Sequence, residues 1–262
     1  MRAAGGEFTW SERRISGYPF RFDVEFRDLT WRGSDGWGFQ TTDLKTETSV
    51  FGLDHWVAYA PSGLDLLRPK GGEIKITAKV LRASISNTSA HPASFSLEGE
   101  GLTFVPVVGA QSWVIASAAE LHVHTRAGPS DQGAFLVDLT GAKAPPSGRL
   151  ATLASSGEVA LSLDAIFDHA DAVAGPGWTS VATAWASAGG KLQVRHLKFQ
   201  AGVVSIEGQG AGVTLAPDGR LIGVLTVRAG GLKKMIGLGT LSFSDGRTSL
   251  DSLDLGASPK VY

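Results

Sequence analysis

Two histidines and a glutamate alternate within the stretch Glu120–His124. In an extended strand Glu120, His122 and His124 share one face, and two imidazoles at this spacing can bind one metal ion. The competing interpretation is the ordinary polar face of a strand whose other face carries Leu121 and Val123. We favour the polar face, because no other histidine lies nearby and the chain contains no cysteine. The sequence therefore predicts no metal site.

Other chemistry has less support in the sequence. The Gly-x-Ser-x-Gly elbow of serine hydrolases does not occur, and the absence of cysteine excludes thiol catalysis. Gly208–Gly212 resembles part of a phosphate-binding loop, but that loop must open a helix, and a strand pattern follows here. A net charge of −1, with acids and bases interspersed, provides no basic surface for nucleic acid. We expect no enzyme, no cofactor and no nucleic-acid partner.

The elements that carry these residues are strands, because apolar and polar residues alternate with a period of two over much of the chain. The alternation slips by one residue near Asp28, which predicts a bulge. Asp218-Gly219 and Asp245-Gly246 are short hairpin signals, so neighbouring strands should be antiparallel. Six residues of the apolar face are our candidates for contact with a ligand: Phe20, Phe22, Val24, Phe26, Ile74 and Ile76.

Helical patterns are few: Trp178–Ala188, Ala165–Ala174, Ser147–Ser155 and one turn within Gly231–Gly237. Such short helices cannot cover a dozen strands. The apolar face must be buried by the sheet itself, as a sandwich or barrel, or remain a trough that a ligand fills.

We predict a mostly β fold: a large curved antiparallel sheet, half-pipe or partly open and barrel-like, with one to three short helices. Residues 1–262 should form a single β-rich domain, and 141–148, with its Pro145-Pro146 pair, is the place where two lobes could divide.

Several segments resemble the domain of unknown function 2125, an alphaproteobacterial envelope family. The segments that carry this resemblance are Arg14–Phe22, His55–Leu64, Trp185–Leu192 and Asp245–Pro259. The resemblance implies a periplasmic domain tethered to the inner membrane by an N-terminal anchor. No run of about 20 apolar residues occurs, so we expect that anchor to precede Arg2. A distant similarity to AsmA-like proteins implies a curved sheet that handles lipid, and no catalytic residue comes with either resemblance.

Two functional hypotheses follow. In the first, the domain binds a lipid or other hydrophobic molecule on its apolar face and acts in envelope lipid transport or homeostasis. In the alternative, it is an envelope scaffold or protein-interaction module with a closed core and no small-molecule ligand. The two differ in whether the apolar face is an open groove or a packed core.

Overall fold

A computed structural model of the protein describes residues 2–3, 6–154, 157–175, 177–232 and 235–262. Nineteen strands in this part of the chain form one sheet, in which every pairing is antiparallel. This confirms the predicted fold class. The strands are β1 (Arg2–Ala3), β2 (Gly6–Thr9), β3 (Glu12–Ser16), β4 (Arg21–Gly33), β5 (Gly38–Ser49), β6 (Gly52–Tyr59), β7 (Leu64–Leu67), β8 (Ile74–Thr77), β9 (Val80–Ser86), β10 (Ser94–Pro106), β11 (Ser117–Ala127), β12 (Gln132–Ala142), β13 (Val159–Asp168), β14 (Leu192–Ala201), β15 (Val204–Leu215), β16 (Leu221–Leu232), β17 (Met235–Ser244), β18 (Arg247–Leu250) and β19 (Leu253–Ala257).

Helix is confined to short connections. Helix α1 spans Arg149–Leu153 and α2 spans Trp178–Ser187, close to two of the predicted helices. The helix predicted over Ala165–Ala174 is wrong, because its first residues continue β13, and only Ala170–Ala172 form a 3-10 turn. The turn predicted within Gly231–Gly237 lies partly outside the described residues. Neither helix in the described ranges is long and apolar enough to cross a membrane.

The sheet is a meander whose N-terminal strands are broken in two. Strands β2 and β3 both pair with β4, β6 and β7 both pair with β5, and β8 and β9 both pair with β10. From β10 to β19 each strand pairs with the next. The sheet therefore continues without interruption across 141–148, since Ala142 of β12 pairs with Val159 of β13.

A line of backbone irregularities, which we call the crease, crosses this sheet. It passes through Asp28, Gly101 and Gly141, whose φ angles are 46°, 59° and 55°, and through the breaks between β6 and β7 and between β8 and β9. The bulge predicted near Asp28 is wrong, because the β4–β5 register is the same on both sides of it. The left-handed backbone of Asp28 explains the slip in the alternation without an inserted residue.

The crease keeps apolar side chains on one face. Phe8 pairs with Trp31 beyond the crease, so the two share a face. The Phe8 ring also lies 5.6 Å from that of Phe26, on the near side of the crease. The apolar face is thus continuous along β4, although the alternation in the sequence slips.

The sheet coils so that its β4–β5 hairpin approaches elements near the C-terminus. The backbone N–H of Trp178 donates to Asp35 Oδ2 (2.9 Å) in the β4–β5 turn, and the Trp178 indole donates to the carbonyl of Val261 (2.7 Å). Arg149 Nη1 of α1 donates to the carbonyl of Leu255 in β19 (2.6 Å). In the described part of the chain β3 pairs only with β4 and β19 only with β18, so the sheet does not close.

Two groups of buried side chains lie on the apolar face of the coiled sheet. The first core cluster joins β8, β10–β14 and residues at α1, and comprises Ile74, Leu102, Phe104, Ile115, Ala118, Ala142, Ala154, Val159 and Ala201. The second core cluster joins β14–β18 and comprises Val194, Val213, Leu225, Val227, Ala229, Leu241, Phe243 and Leu250. We call this face the inner face and its opposite the outer face.

Asp35 should stabilise the coil, because it caps α2 from 143 residues away in sequence. Gly177, the residue at the helix start, makes no side-chain cap hydrogen bond, and Asp35 also accepts from the backbone N–H of Trp37 (3.1 Å). We expect Asp35→Ala to lower the free energy of unfolding by about 1–2 kcal/mol. Urea unfolding measures this, with Asp54→Ala on an exposed site as the control. Equal losses of unfolding free energy in the two variants would contradict the capping role of Asp35.

A candidate apolar groove on the inner face

Two cross-strand rows of the inner face contain no charged residue. Pairing between neighbouring strands aligns the first row, which runs through Val24, Thr46, Ala58, Ala83, Leu97, Val123, Val137 and Leu163. The second row, two residues further along each strand, runs through Phe22, Thr48, Trp56, Ile85, Phe95, Thr125, Phe135 and Ala165. Both rows lie on the same side of the crease.

The inner face is packed differently on the two sides of the crease. On one side Leu29 and Ile74 are completely buried (0% exposed). On the other side Phe22 and Val24 are only half-buried, and Ile85 is exposed. Between β4 and β10 the inner face is therefore completely buried at some positions on one side of the crease and keeps access to solvent at others beyond it, whereas from β13 onward the same rows run into the second core cluster.

Small side chains occupy the middle of the accessible rows. Thr46, Ala58 and Ala83 lie side by side on β5, β6 and β9 and are half-buried. Larger side chains stand around them, so the surface is lower at its centre than at its margins. We call this surface the candidate groove and define it by Phe22, Val24, Phe26, Trp56, Ala58, Ala83, Ile85, Phe95 and Leu97.

Aromatic rings form one margin of the candidate groove. The ring centroid of Phe26 lies 5.6 Å from Phe8 and 5.8 Å from Trp10, both in edge-on arrangements, and Phe8 lies 5.3 Å from Trp10. Trp56 lies on the opposite margin, in the row of Phe22, and its indole N–H donates to the carbonyl of Leu53 (2.9 Å), which satisfies its polar atom. Both margins therefore offer aromatic carbon to a ligand.

The six predicted ligand residues separate into three environments. Phe22, Val24 and Phe26 lie together in the candidate groove. Phe20 lies in the turn before β4 and is 74% exposed. Ile74 belongs to the first core cluster and Ile76 packs against it, so we assign both to the core. The alternation in β6 and β9 marks Trp56, Ala58 and Ala83 as apolar-face residues, but only strand pairing places them beside Val24.

The outer face carries a row of charges in register with the groove, which we call the charge ladder. It runs through Arg14, Glu25, Lys45, Tyr59, Arg82, Glu98, His122, Asp138, Ser162, Lys198, Glu207 and Arg228. Lys45 Nζ lies 3.9 Å from Glu25 Oε1, and Lys198 Nζ lies 3.7 Å from Glu207 Oε1. Acids and bases in this row therefore neutralise each other across the strands.

The ladder also contains a direct hydrogen bond from Arg82 to Glu98. This bond and the negative charge of Glu98 raise the pKa of Arg82 above its usual value. Local pairing of this kind leaves no continuous basic or acidic surface along the ladder.

Reversing one charge in the ladder should cost stability. Glu207 lies between Lys198 and Arg228, so Glu207→Lys places three cations in adjacent positions. We expect the free energy of unfolding to fall by about 1 kcal/mol in low salt and by less in high salt. Glu120→Lys is the control. It changes the like-charge pair with Glu100 into an opposite-charge pair, so we expect no loss of unfolding free energy. Urea unfolding at two salt concentrations measures both, and equal losses would refute the ladder's contribution.

The two histidines considered as metal ligands belong to this outer face. Their rings stack with centroids 6.3 Å apart, and His122 Nε2 lies 4.0 Å from Glu120 Oε2. His124 Nδ1 is within hydrogen-bond distance of Ser96 Oγ (2.9 Å). Within the described ranges no three His, Asp or Glu side chains are grouped closely enough to hold a metal ion. The geometry fits the polar-face interpretation.

A shallow hollow of about 250 Å³ opens where the ladder begins, on β3–β6. Its lining is mostly charged, so it offers partners for ions rather than for apolar groups. The residues around it are Ser16, Arg21, Asp23, Glu25, Lys45, Thr46, Glu47 and Tyr59. Arg21 and Asp23 already pair with each other there (3.0 Å). The candidate groove remains the surface suited to a hydrophobic ligand.

Comparison with known proteins gives one match. No curated protein and no solved structure matches the chain significantly. One family model, described as "Uncharacterized protein conserved in bacteria (DUF2125)", matches residues 1–245. This match covers nearly the whole sheet, including the candidate groove and the charge ladder. The chain therefore belongs to the DUF2125 family of bacterial proteins.

Proposed function

We propose that this protein binds a lipid or another hydrophobic molecule in the candidate groove. We further propose that it works in the periplasm, tethered to the inner membrane by an N-terminal anchor, in envelope lipid transport or homeostasis. The observation that carries the binding proposal is the change in packing at the crease. One apolar face is completely buried at Leu29 and Ile74 but accessible at Phe22, Val24 and Ile85.

The energetics of an accessible apolar face favour a ligand. Apolar surface removed from water contributes about 25 cal/mol per Å², or about 0.8 kcal/mol for each methylene group buried. Half-buried phenylalanine, valine and tryptophan side chains leave part of this contribution unrealised. An acyl chain laid along the groove would remove this apolar surface from water. An acyl chain needs no charged partner, and neither inner row contains a charged residue.

The shape of the groove favours a long ligand over a compact one. The residues that define it lie on β4, β6, β9 and β10, and β5 lies between β4 and β6. Five neighbouring strands have four spacings of about 4.8 Å, so the groove extends for about 19 Å across the strands. A compact hydrophobic molecule would cover only part of this length, whereas an extended acyl chain would lie along it.

Native mass spectrometry of the purified protein, followed by organic extraction and lipid analysis, tests the binding proposal. We expect a bound lipid near one molecule per chain, and loss of its mass after delipidation. Delipidated protein should regain a lipid when mixed with phospholipid micelles. Protein that stays at its apo mass in both experiments would contradict the proposal.

A second candidate function is supported by the edge of the sheet. All five residues of β3 are exposed, and this strand pairs only with β4 among the described residues. Such an edge can accept a strand from a partner protein. An envelope scaffold of this kind predicts a co-purifying protein and slowed amide hydrogen exchange in Glu12–Ser16 on its binding, with no bound lipid.

A further inference from the structure

The candidate groove opens at the edge of the sheet that β3 forms, and an arginine stands at this opening. Arg13 pairs with Phe26 and Ile15 pairs with Val24, so both β3 side chains lie on the inner face. Ile15 is 57% exposed and Arg13 is exposed, so this end of the groove is open to solvent. Among the described residues that pair directly with a residue of the groove, Arg13 is the charged one.

The Arg13 guanidinium is held at the groove margin without an acidic partner. Its Cζ atom lies 5.8 Å from the centroid of the Trp10 ring, which itself lies 5.8 Å from the ring of Phe26. Asp28, two residues beyond Phe26 on β4, accepts the hydroxyl of Ser11 (2.7 Å), and no acid in the described ranges lies within ion-pair distance of Arg13. A cation–π contact positions the guanidinium but leaves its N–H groups available as donors.

The hydroxyl donors in the middle of the groove are already in use. Thr46 Oγ1 donates to the carbonyl of Val24 (3.2 Å), and Thr48 Oγ1 donates to the carbonyl of His55 (2.6 Å). At the far end the rows lead to β13, where Leu163 packs against the second core cluster. The groove is therefore asymmetric, with apolar side chains toward β13 and a cation without an acidic partner at the β3 edge.

We propose that Arg13 binds the headgroup of the lipid whose acyl chain fills the candidate groove, and that this lipid is anionic. The inference rests on the proposed function, because it assigns the ligand class and the ligand orientation of the same groove. A guanidinium presents forked N–H donors that match two oxygens of a carboxylate or a phosphate. The headgroup lies at the open β3 edge, and the acyl chain runs from there across β4, β5 and β6 toward β10.

Displacement of Nile red from delipidated protein tests the headgroup site. Nile red is a neutral dye that fluoresces in apolar surroundings, so it reports the groove independently of charge. The competitors are dodecanoate and dodecanol, which share one chain length and differ in the charge of the headgroup. We expect Arg13→Gln to weaken displacement by dodecanoate about 10-fold and to leave displacement by dodecanol unchanged.

Two further variants make the test specific to Arg13. Arg14→Gln is the matched control, because it removes the same charge from the next residue of β3, which lies opposite Glu25 on the outer face. We expect it to bind dodecanoate like the unmodified protein. Arg13→Lys keeps the charge and should retain most of the affinity for dodecanoate. Equal binding of Nile red by all variants shows that the groove is intact in each of them.

The possible results separate a failed headgroup site from a failed groove. Equal displacement by dodecanoate from Arg13→Gln and from the unmodified protein would overturn the headgroup site and leave the groove intact. Equal weakening of dodecanoate and dodecanol would assign Arg13 a packing role and overturn the site as well. An unmodified protein that binds neither Nile red nor dodecanoate would overturn the groove and this inference together.

Dodecyl phosphate in place of dodecanoate distinguishes a phosphate headgroup from a carboxylate. A selective loss of displacement in Arg13→Gln, for either anionic competitor, supports the site, and the competitor with the larger loss identifies the headgroup.

Discussion

Leu29→Ala should destabilise the protein by about 3 kcal/mol, whereas Phe22→Ala should cost only about 1 kcal/mol. Both residues lie on the inner face of β4, and phenylalanine is the larger side chain. Leu29 is 0% exposed, so its truncation leaves a cavity in packed surroundings. Phe22 is half-buried beyond the crease, so its truncation removes contacts with little enclosed space around them. Size alone predicts the opposite order.

Urea unfolding of delipidated protein measures this difference, with Ile74→Val as a reference for a small deletion in the first core cluster. That reference should cost about 1 kcal/mol. A loss for Phe22→Ala that equals or exceeds the loss for Leu29→Ala would show that both sides of the crease are packed cores. The closed scaffold would then explain the sheet better than a groove.

The second large effect concerns the ligand. Ala83→Trp should abolish binding of lipid, because an indole at the low centre of the candidate groove fills the space between β6 and β10. The matched control is Ser84→Trp. Position 84 is the next residue on β9 and points to the outer face, beside Val57 and Ser96. We expect this control to retain lipid.

Native mass spectrometry and lipid extraction compare the two tryptophan variants at equal protein concentration. Each adds the same side chain to the same strand, so general effects on stability should be similar. Equal retention of lipid by both would place the ligand elsewhere, and equal loss would point to an indirect effect.

Strand positions and the helix α2 could be predicted from the sequence because they depend on local patterns. Period-two alternation at Phe22, Val24 and Phe26 reflects the geometry of a single strand, and Gly189-Gly190 ends α2 whatever surrounds it. The helix expected at Ala165–Ala174 failed for a nonlocal reason. Ala165 and Phe167 lie buried where β13 meets β12 and β14, and this packing overrides a weak helical pattern.

The alternation could not distinguish a groove residue from a core residue. Phe22 and Ile74 have the same pattern around them, yet one is accessible and the other is completely buried. That difference depends on what stands opposite each side chain once the sheet coils. Contacts between Asp35 and Trp178 and between Arg149 and Leu255 bring together residues more than 100 positions apart. No local period contains this information.

By itself, the sequence determined the strands, their two faces and the absence of a thiol or Gly-x-Ser-x-Gly site, because these depend on residue types and short spacings. Only the tertiary structure decided that Asp28 shifts the apolar alternation of β4 through a left-handed backbone and not through a bulge. It also decided that charges align into a ladder across the strands, and that the candidate groove lies on one side of the crease. These features arise from strand register and coiling, which join residues that are distant in sequence.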